Sequence, residues 1–139
     1  MLFLKNKLTL QKSERLKSRK QIEHLFSKGK SLSVFPFRVM YCTGAADNGQ
    51  YRLKAGFAVS SKFFKKAADR NRIKRVTRET YRMQKNRLEE ILALRKKSLD
   101  IFLVYIGKEL PDFTTVKEKL GLILQKLIQQ VDEKSAPDA

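Results

Sequence analysis

From Lys62 to Arg87 the chain carries eleven Lys or Arg against two acids, Asp69 and Glu79, and no Gly or Pro interrupts it from Lys66 to Arg95. So long a run without a breaker is read as helix, and any fold must seat that charged helix against a core. Wound at about 100° per residue from Arg70, Arg70, Lys74, Arg78, Asn71, Arg82 and Arg75 fall within roughly 0 to 140°. Thr80, Ile73, Gln84, Thr77 and Tyr81, with Val76 at one edge, fall within roughly 240 to 20°. One side packs, and the other meets a polyanion.

The rest of the chain supplies the core. At 139 residues, 42% of them hydrophobic, it is long enough for one domain, 1–139, and too hydrophobic for a disordered chain. Residues 1–17 are read as a basic arm and 132–139 as a frayed tail. A net charge of +17 is offset by phosphates or anionic lipid. One cysteine, Cys42, and one histidine, His24, allow neither an internal disulfide nor a structural zinc site. With only a short apolar run near the start, Leu2 to Leu4, the expectation is a soluble, cytoplasmic protein.

In chain order, Ser18 to Gln21 matches a capping box, followed by a short helix with Ile22, Leu25 and Phe26 on its apolar stripe and Gly29 as a left-handed cap. His24 lies off that stripe and reads as a surface residue. Ser33 to Thr43 alternates as a strand with Phe35, Phe37, Val39 and Tyr41 on one side. After a turn at 44–49, Tyr51 to Ser60 is a second strand, expected to form an antiparallel hairpin with the first. Its Leu53, Phe57 and Val59 share one parity. Gly56, Ala58 and Ser60 share the other and leave a shallow groove beside the aromatics. Phe35 and Phe57 are assigned to the core; Phe26, Phe37 and Tyr41 suit stacking on unpaired bases, with core packing the alternative reading, equally open for Phe26 and Tyr41.

The basic helix is expected over Lys66 to Arg95 and a third, buried strand over Ser98 to Ile106. A last helix follows a capping box at Thr115 to Glu118, with Val116, Leu120, Ile123, Leu124, Leu127, Ile128 and Val131 inward. A membrane-surface reading of this helix is set aside, because residues 100–139 sum to net −2. The order helix, strand, strand, helix, strand, helix predicts an α+β fold, a two-layer α/β sandwich. Its second and third strands are candidates for parallel neighbours, with a crossover that general rules make right-handed.

No triad, Gly-rich phosphate loop or converging set of carboxylates is visible, so no catalytic residue, metal ligand or protein-held cofactor is expected. No helix-turn-helix spacing precedes the basic helix. The pattern suits a nucleic-acid backbone: Arg forks meet phosphate oxygens in pairs and Lys adds charge. Engaging about five phosphates gives log K a slope near −3.5 to −4.5 against log salt.

The string Arg70-Asn71-Arg72-Ile73-Lys74-Arg75, continuing to Arg82, closely resembles the signature of the bacterial ribonuclease P protein subunit. Gly56 to Lys62 upstream, Leu25-Phe26 with Gly29, and Asp100 to Val104 extend the likeness over residues 14–131. The resemblance implies an accessory protein of a ribonucleoprotein endoribonuclease, whose RNA subunit carries the catalytic Mg²⁺ and removes the 5′ leader of precursor tRNA. It requires no stable protein partner and no membrane. It implies contact with the catalytic RNA by Arg70, Asn71, Arg72, Lys74, Arg75, Arg78 and Arg82. A leader-binding cleft is implied at Phe26, Ile22, Val39, Tyr41, Ala58 and Lys62. It also implies a mixed sheet with an uncommon left-handed crossover, a fold shared with the second domain of a small-subunit ribosomal protein. This overrides the right-handed expectation. Two departures stand out. Ile22 replaces an aromatic common in the family four residues before Phe26, and Ser61-Lys62 replaces a Lys-Lys pair. A general RNA-binding module without catalytic consequence is the alternative.

Overall fold

The computed structural model describes residues 14–16, 18–46 and 48–133. Its elements are α1 (Arg19–Lys28), β1 (Lys30–Val34), β2 (Phe37–Ala45), β3 (Arg52–Val59), α2 (Ala67–Gln84), α3 (Asn86–Arg95), β4 (Lys97–Tyr105) and α4 (Phe113–Glu133). The four strands form one mixed sheet in the order β1-β2-β4-β3. The architecture is α+β, as expected, with one strand more.

The added strand comes from Pro36. The single strand expected over Ser33 to Thr43 is two, paired antiparallel with Val34 opposite Phe37, so that Phe35-Pro36 is the loop between them. Proline has no N–H for a ladder and belongs in such a turn. Phe35, assigned to the core, is therefore exposed at 70%.

The expected hairpin of β2 with β3 is also corrected. β4 lies between them, antiparallel to β2 and parallel to β3, with Met40 and Gly56 both opposite Phe102. The run Leu99 to Tyr105 is the most apolar of the strands, and burial on both faces rewards the central place. The β3 to β4 connection carries α2 and α3 and joins parallel neighbours, as foreseen. The outer edge of β3 is covered in part by Arg15 and Leu16, with Leu16 N donating to the Ala55 carbonyl at 2.9 Å.

The core lies between the sheet and the three later helices. Phe37, Val39 and Tyr41 of β2, Leu99, Ile101, Leu103 and Tyr105 of β4, and Leu53 and Ala55 of β3 meet Ile73, Tyr81, Leu88 and Leu92. The α4 stripe Val116, Leu120, Ile123, Leu124, Leu127 and Val131 completes the cluster. The long helix breaks at Lys85, which separates α2 from α3. Its side chain is fully buried, paired with Glu14 and, at 3.4 Å, with Glu89. Glu89 titrates above the usual carboxylate range because burial outweighs the Lys85 charge and hydrogen bond.

The ends of the helices refine the expectations. Ser18 caps α1, its Oγ accepting from Gln21 N at 3.4 Å. Gly29 follows in extended, not left-handed, backbone (φ −78°, ψ 170°). Glycine is needed there for space, since a Cβ would lie 2.4 Å from the Leu25 carbonyl oxygen and 2.9 Å from that of Tyr41. The left-handed cap belongs to Lys96 (φ 54°, ψ 54°) after α3. α4 starts two residues before the expected box, capped by Asp112, whose Oδ1 accepts from Thr115 N at 3.1 Å. A hydrogen bond from the Thr115 side chain, followed by that backbone bond, holds the Asp112 carboxyl low. At the other end Asp132 pairs with Arg95 at 2.7 Å, so α4 carries two residues assigned to the tail.

Candidate RNA interface

α2 is amphipathic, and Ile73, Thr77, Thr80 and Tyr81 are its buried side. The two threonine hydroxyls are satisfied within the helix, Thr77 Oγ1 donating to the Ile73 carbonyl at 2.8 Å and Thr80 Oγ1 to the Thr77 carbonyl at 3.0 Å. Opposite them Asn71, Arg72 and Arg75 are exposed, with Lys74 and Arg78 half-buried at the flanks. The Arg78 guanidinium lies 5.9 Å from the Phe57 ring centroid, which steers it without spending its hydrogen-bond donors.

Two members of the predicted set do something further. Arg70 donates from Nη1 to the carbonyls of Phe64 (2.8 Å) and Lys65 (2.9 Å), tying the loop before α2 to its first turn. On the wheel it is the cation next to the apolar side, so half of its fork turns inward. Arg82 is paired with Glu79 one turn back, and the carboxylate is held low by that hydrogen bond.

The second surface is the sheet face opposite the core. α1 lies over it: Leu25 is buried, Phe26 is 52% exposed, and the Phe26 and Phe102 rings meet edge to face at 5.5 Å. Gly56 makes room for this pair, because a Cβ there would sit 2.6 Å from the Phe102 ring. Ala58 is opposite Val104 on the same face, and Ile22 is half-buried on α1. Toward the other end of the strands an open pocket of about 390 Å³ is lined by Lys20, His24, Cys42, Arg52 and Asp100 among others. Burial raises the Asp100 carboxyl, against the charges of Arg52, Lys54 and His24.

Of the predicted cleft set, Phe26 and Ile22 belong to α1 over this face and Ala58 to the face itself, and Lys62 lies exposed beyond the end of β3. Val39 (0% exposed) and Tyr41 (5%) belong instead to the core on the other side of β2, as does Phe37. Alternation then gives the groove Arg38, Met40 and Cys42. Phe102 was missed because the apolar run of β4 shows no alternation to mark a face.

A protein-family model described as Ribonuclease P matches residues 10–128. The chain belongs to the ribonuclease P protein family. It is 39% identical over 122 residues to the ribonuclease P protein component of Porphyromonas gingivalis, covering 88% of each chain. It is 34% identical over 118 residues to that of Thermotoga maritima, covering 82% of this chain and 92% of the relative. The solved ribonuclease P protein of Thermotoga maritima superposes with a TM-score of 0.60 at 34% identity, over 81% of this chain and 96% of that one. The Staphylococcus aureus ribonuclease P protein shares the fold at a TM-score of 0.59, with 22% identity, over 84% and 96%. As a ribonuclease P protein component this chain is part of an endoribonuclease of tRNA processing and partners the ribonuclease P RNA. None of its described helices is long and apolar enough to cross a membrane.

Proposed function

We propose that the protein binds the catalytic RNA of ribonuclease P through the outward side of α2 and holds the 5′ leader of precursor tRNA in the groove under α1. The observation that carries this reading is the placement of the two surfaces. The Asn71, Arg72, Lys74, Arg75 and Arg78 cluster is on a helix of the core side, whereas Phe26, Phe102, Gly56 and Ala58 are on the opposite sheet face. One supplies fork-like donors for phosphates, the other an aromatic edge over small residues for unpaired bases. Arg70 fixes the loop through Nη1 and keeps its remaining N–H groups for phosphate. Arg82 joins the surface by exchanging Glu79 for a phosphate.

The chemistry of cleavage belongs to the RNA subunit and its Mg²⁺. The protein positions the leader and screens phosphate repulsion, which lowers the Mg²⁺ required. It acts in the cytoplasm, without a stable protein partner. The test is reconstitution with the cognate catalytic RNA at low Mg²⁺, assaying removal of the leader from precursor tRNA. Absence of stimulation overturns the proposal. Sequencing the RNA that co-purifies separates it from a general RNA-binding module, which would carry mixed RNAs. Phe26→Ala should weaken leader-bearing substrate and leave catalytic-RNA binding intact; Arg72→Ala with Arg75→Ala should do the reverse.

A further inference from the structure

α4 turns the stripe Glu118, Leu122, Gln125 and Gln129 away from the core, opposite its buried side. All four are exposed, and Leu122, at 43%, is the apolar one among them. Beside the stripe an open groove of about 930 Å³ runs between α4 and the junction of α2 with α3. Gln84, Arg87, Gly121, Leu124 and Ile128 line it, among others, as does Leu122 itself. The groove is held open by hydrogen bonds: Gln84 Nε2 donates to the Thr80 carbonyl and to the Lys117 carbonyl, each at 3.1 Å, and so ties α2 to α4. A Cβ on Gly121 would press on Gln84 Oε1 at 3.1 Å. An exposed apolar knob and a preformed hole therefore lie on one patch, as a self-complementary twofold contact requires.

Charge decides what can meet that patch. The chain carries +17, yet the charged residues of α4 cancel, Lys117, Lys119 and Lys126 against Glu118, Asp132 and Glu133. Glu118 precedes Leu122 by four residues and Lys126 follows it by four. From this geometry we infer that the outward face of α4 docks a second copy of this chain, the two helices crossing antiparallel about a twofold axis at Leu122. Each Leu122 enters the partner's groove beside Gly121, and each Glu118 stands level with the partner's Lys126, so two opposite-charge pairs flank the apolar contact. The pair is weak at low salt, because the two chains repel as wholes. It tightens as salt screens that repulsion, which outweighs the loss at exposed ion pairs worth little each. RNA binding should respond to salt in the opposite sense. The contact does not depend on the RNA reading above.

The full-length chain, freed of nucleic acid, is followed by sedimentation equilibrium from micromolar to submillimolar concentration at low and high salt. The expected result is an average mass that rises from one chain toward two, more steeply at high salt. Leu122→Glu should weaken association about tenfold or more, with the thermal midpoint unchanged. Lys126→Glu should weaken it about fivefold, and Glu118→Lys added to it should restore it. Restoration cannot arise within one helix, where residues eight apart are separated by about 12 Å along the axis. A chain that stays single at every concentration and salt, or a dimer indifferent to Leu122→Glu, overturns the inference. So does a double exchange that fails to restore association. A chain that stays single while Leu122→Glu lowers its affinity for the catalytic RNA puts RNA in the groove and overturns it as well.

Discussion

Arg70 and Arg75 differ by five positions and by what they do. Arg70 satisfies two loop carbonyls through one nitrogen, whereas Arg75 is exposed. Arg70→Ala should cost about 1–2 kcal/mol of stability by urea unfolding, and Arg75→Ala less than about 0.5 kcal/mol. A similar loss in both would refute the positioning role of Arg70. Gly56 makes a second residue-scale case: Gly56→Val overpacks the Phe102 ring and should destabilise by about 1–3 kcal/mol. Glu89 gives a pH dependence. Its folded pKa is raised, chiefly by burial, so the native state holds a proton that the unfolded chain releases, and stability falls as pH rises through the carboxylate range. Glu89→Gln should remove that part of the slope between acid and neutral pH in urea melts; an unchanged slope would assign it elsewhere. At this scale the sequence was legible where a side chain's surroundings follow from its own helix. Ile73, Thr77 and Thr80 fell inward as the wheel requires, but Arg70's second role depends on carbonyls in a loop that no periodicity describes.

Among the elements, α1, α2 and α4 were readable because breakers, caps and a 3.6-residue stripe are local signals. The break at Lys85 was not, since it needs Glu14, 71 residues away, to accompany the lysine into the interior. The strands were found, with Pro36 dividing the first, but their partners were not all found. Alternation says which residues share a face and is silent on which strand lies alongside, so β4 could not be placed between β2 and β3. The same gap moved Val39 and Tyr41 from the cleft to the core: β2 has aromatic or branched residues at one parity, and only the packing of α4 and α2 decides which side that parity takes. Lys96 is the clearest element-scale test. As a non-glycine residue at φ 54° it strains the end of α3, and Lys96→Gly should stabilise by about 0.5–1 kcal/mol in urea unfolding. A loss of stability would mean that the side chain contributes more than its backbone costs.

For the whole molecule, a net charge of +17 on 139 residues means that the folded state works against its own field. Multivalent anions should therefore raise the thermal midpoint, sulfate more than chloride at equal ionic strength. Arg72→Gln with Arg75→Gln should shrink the difference, as read by differential scanning fluorimetry. Their removal should also flatten the salt dependence of catalytic-RNA binding by about 1.5 in log–log slope; an unchanged slope would place the phosphate contacts elsewhere. The central position of β4 has a consequence in time. During synthesis β2 and β3 leave the ribosome before the strand that separates them, and α2 emerges before either sheet face is complete. The contacts that join β2 to β3 through β4 wait for residues 97–105, and those with α4 wait longer still. Neither the groove nor the supported basic helix can then mature piecemeal on the nascent chain. Both become available together, only after β4 and α4 have been made.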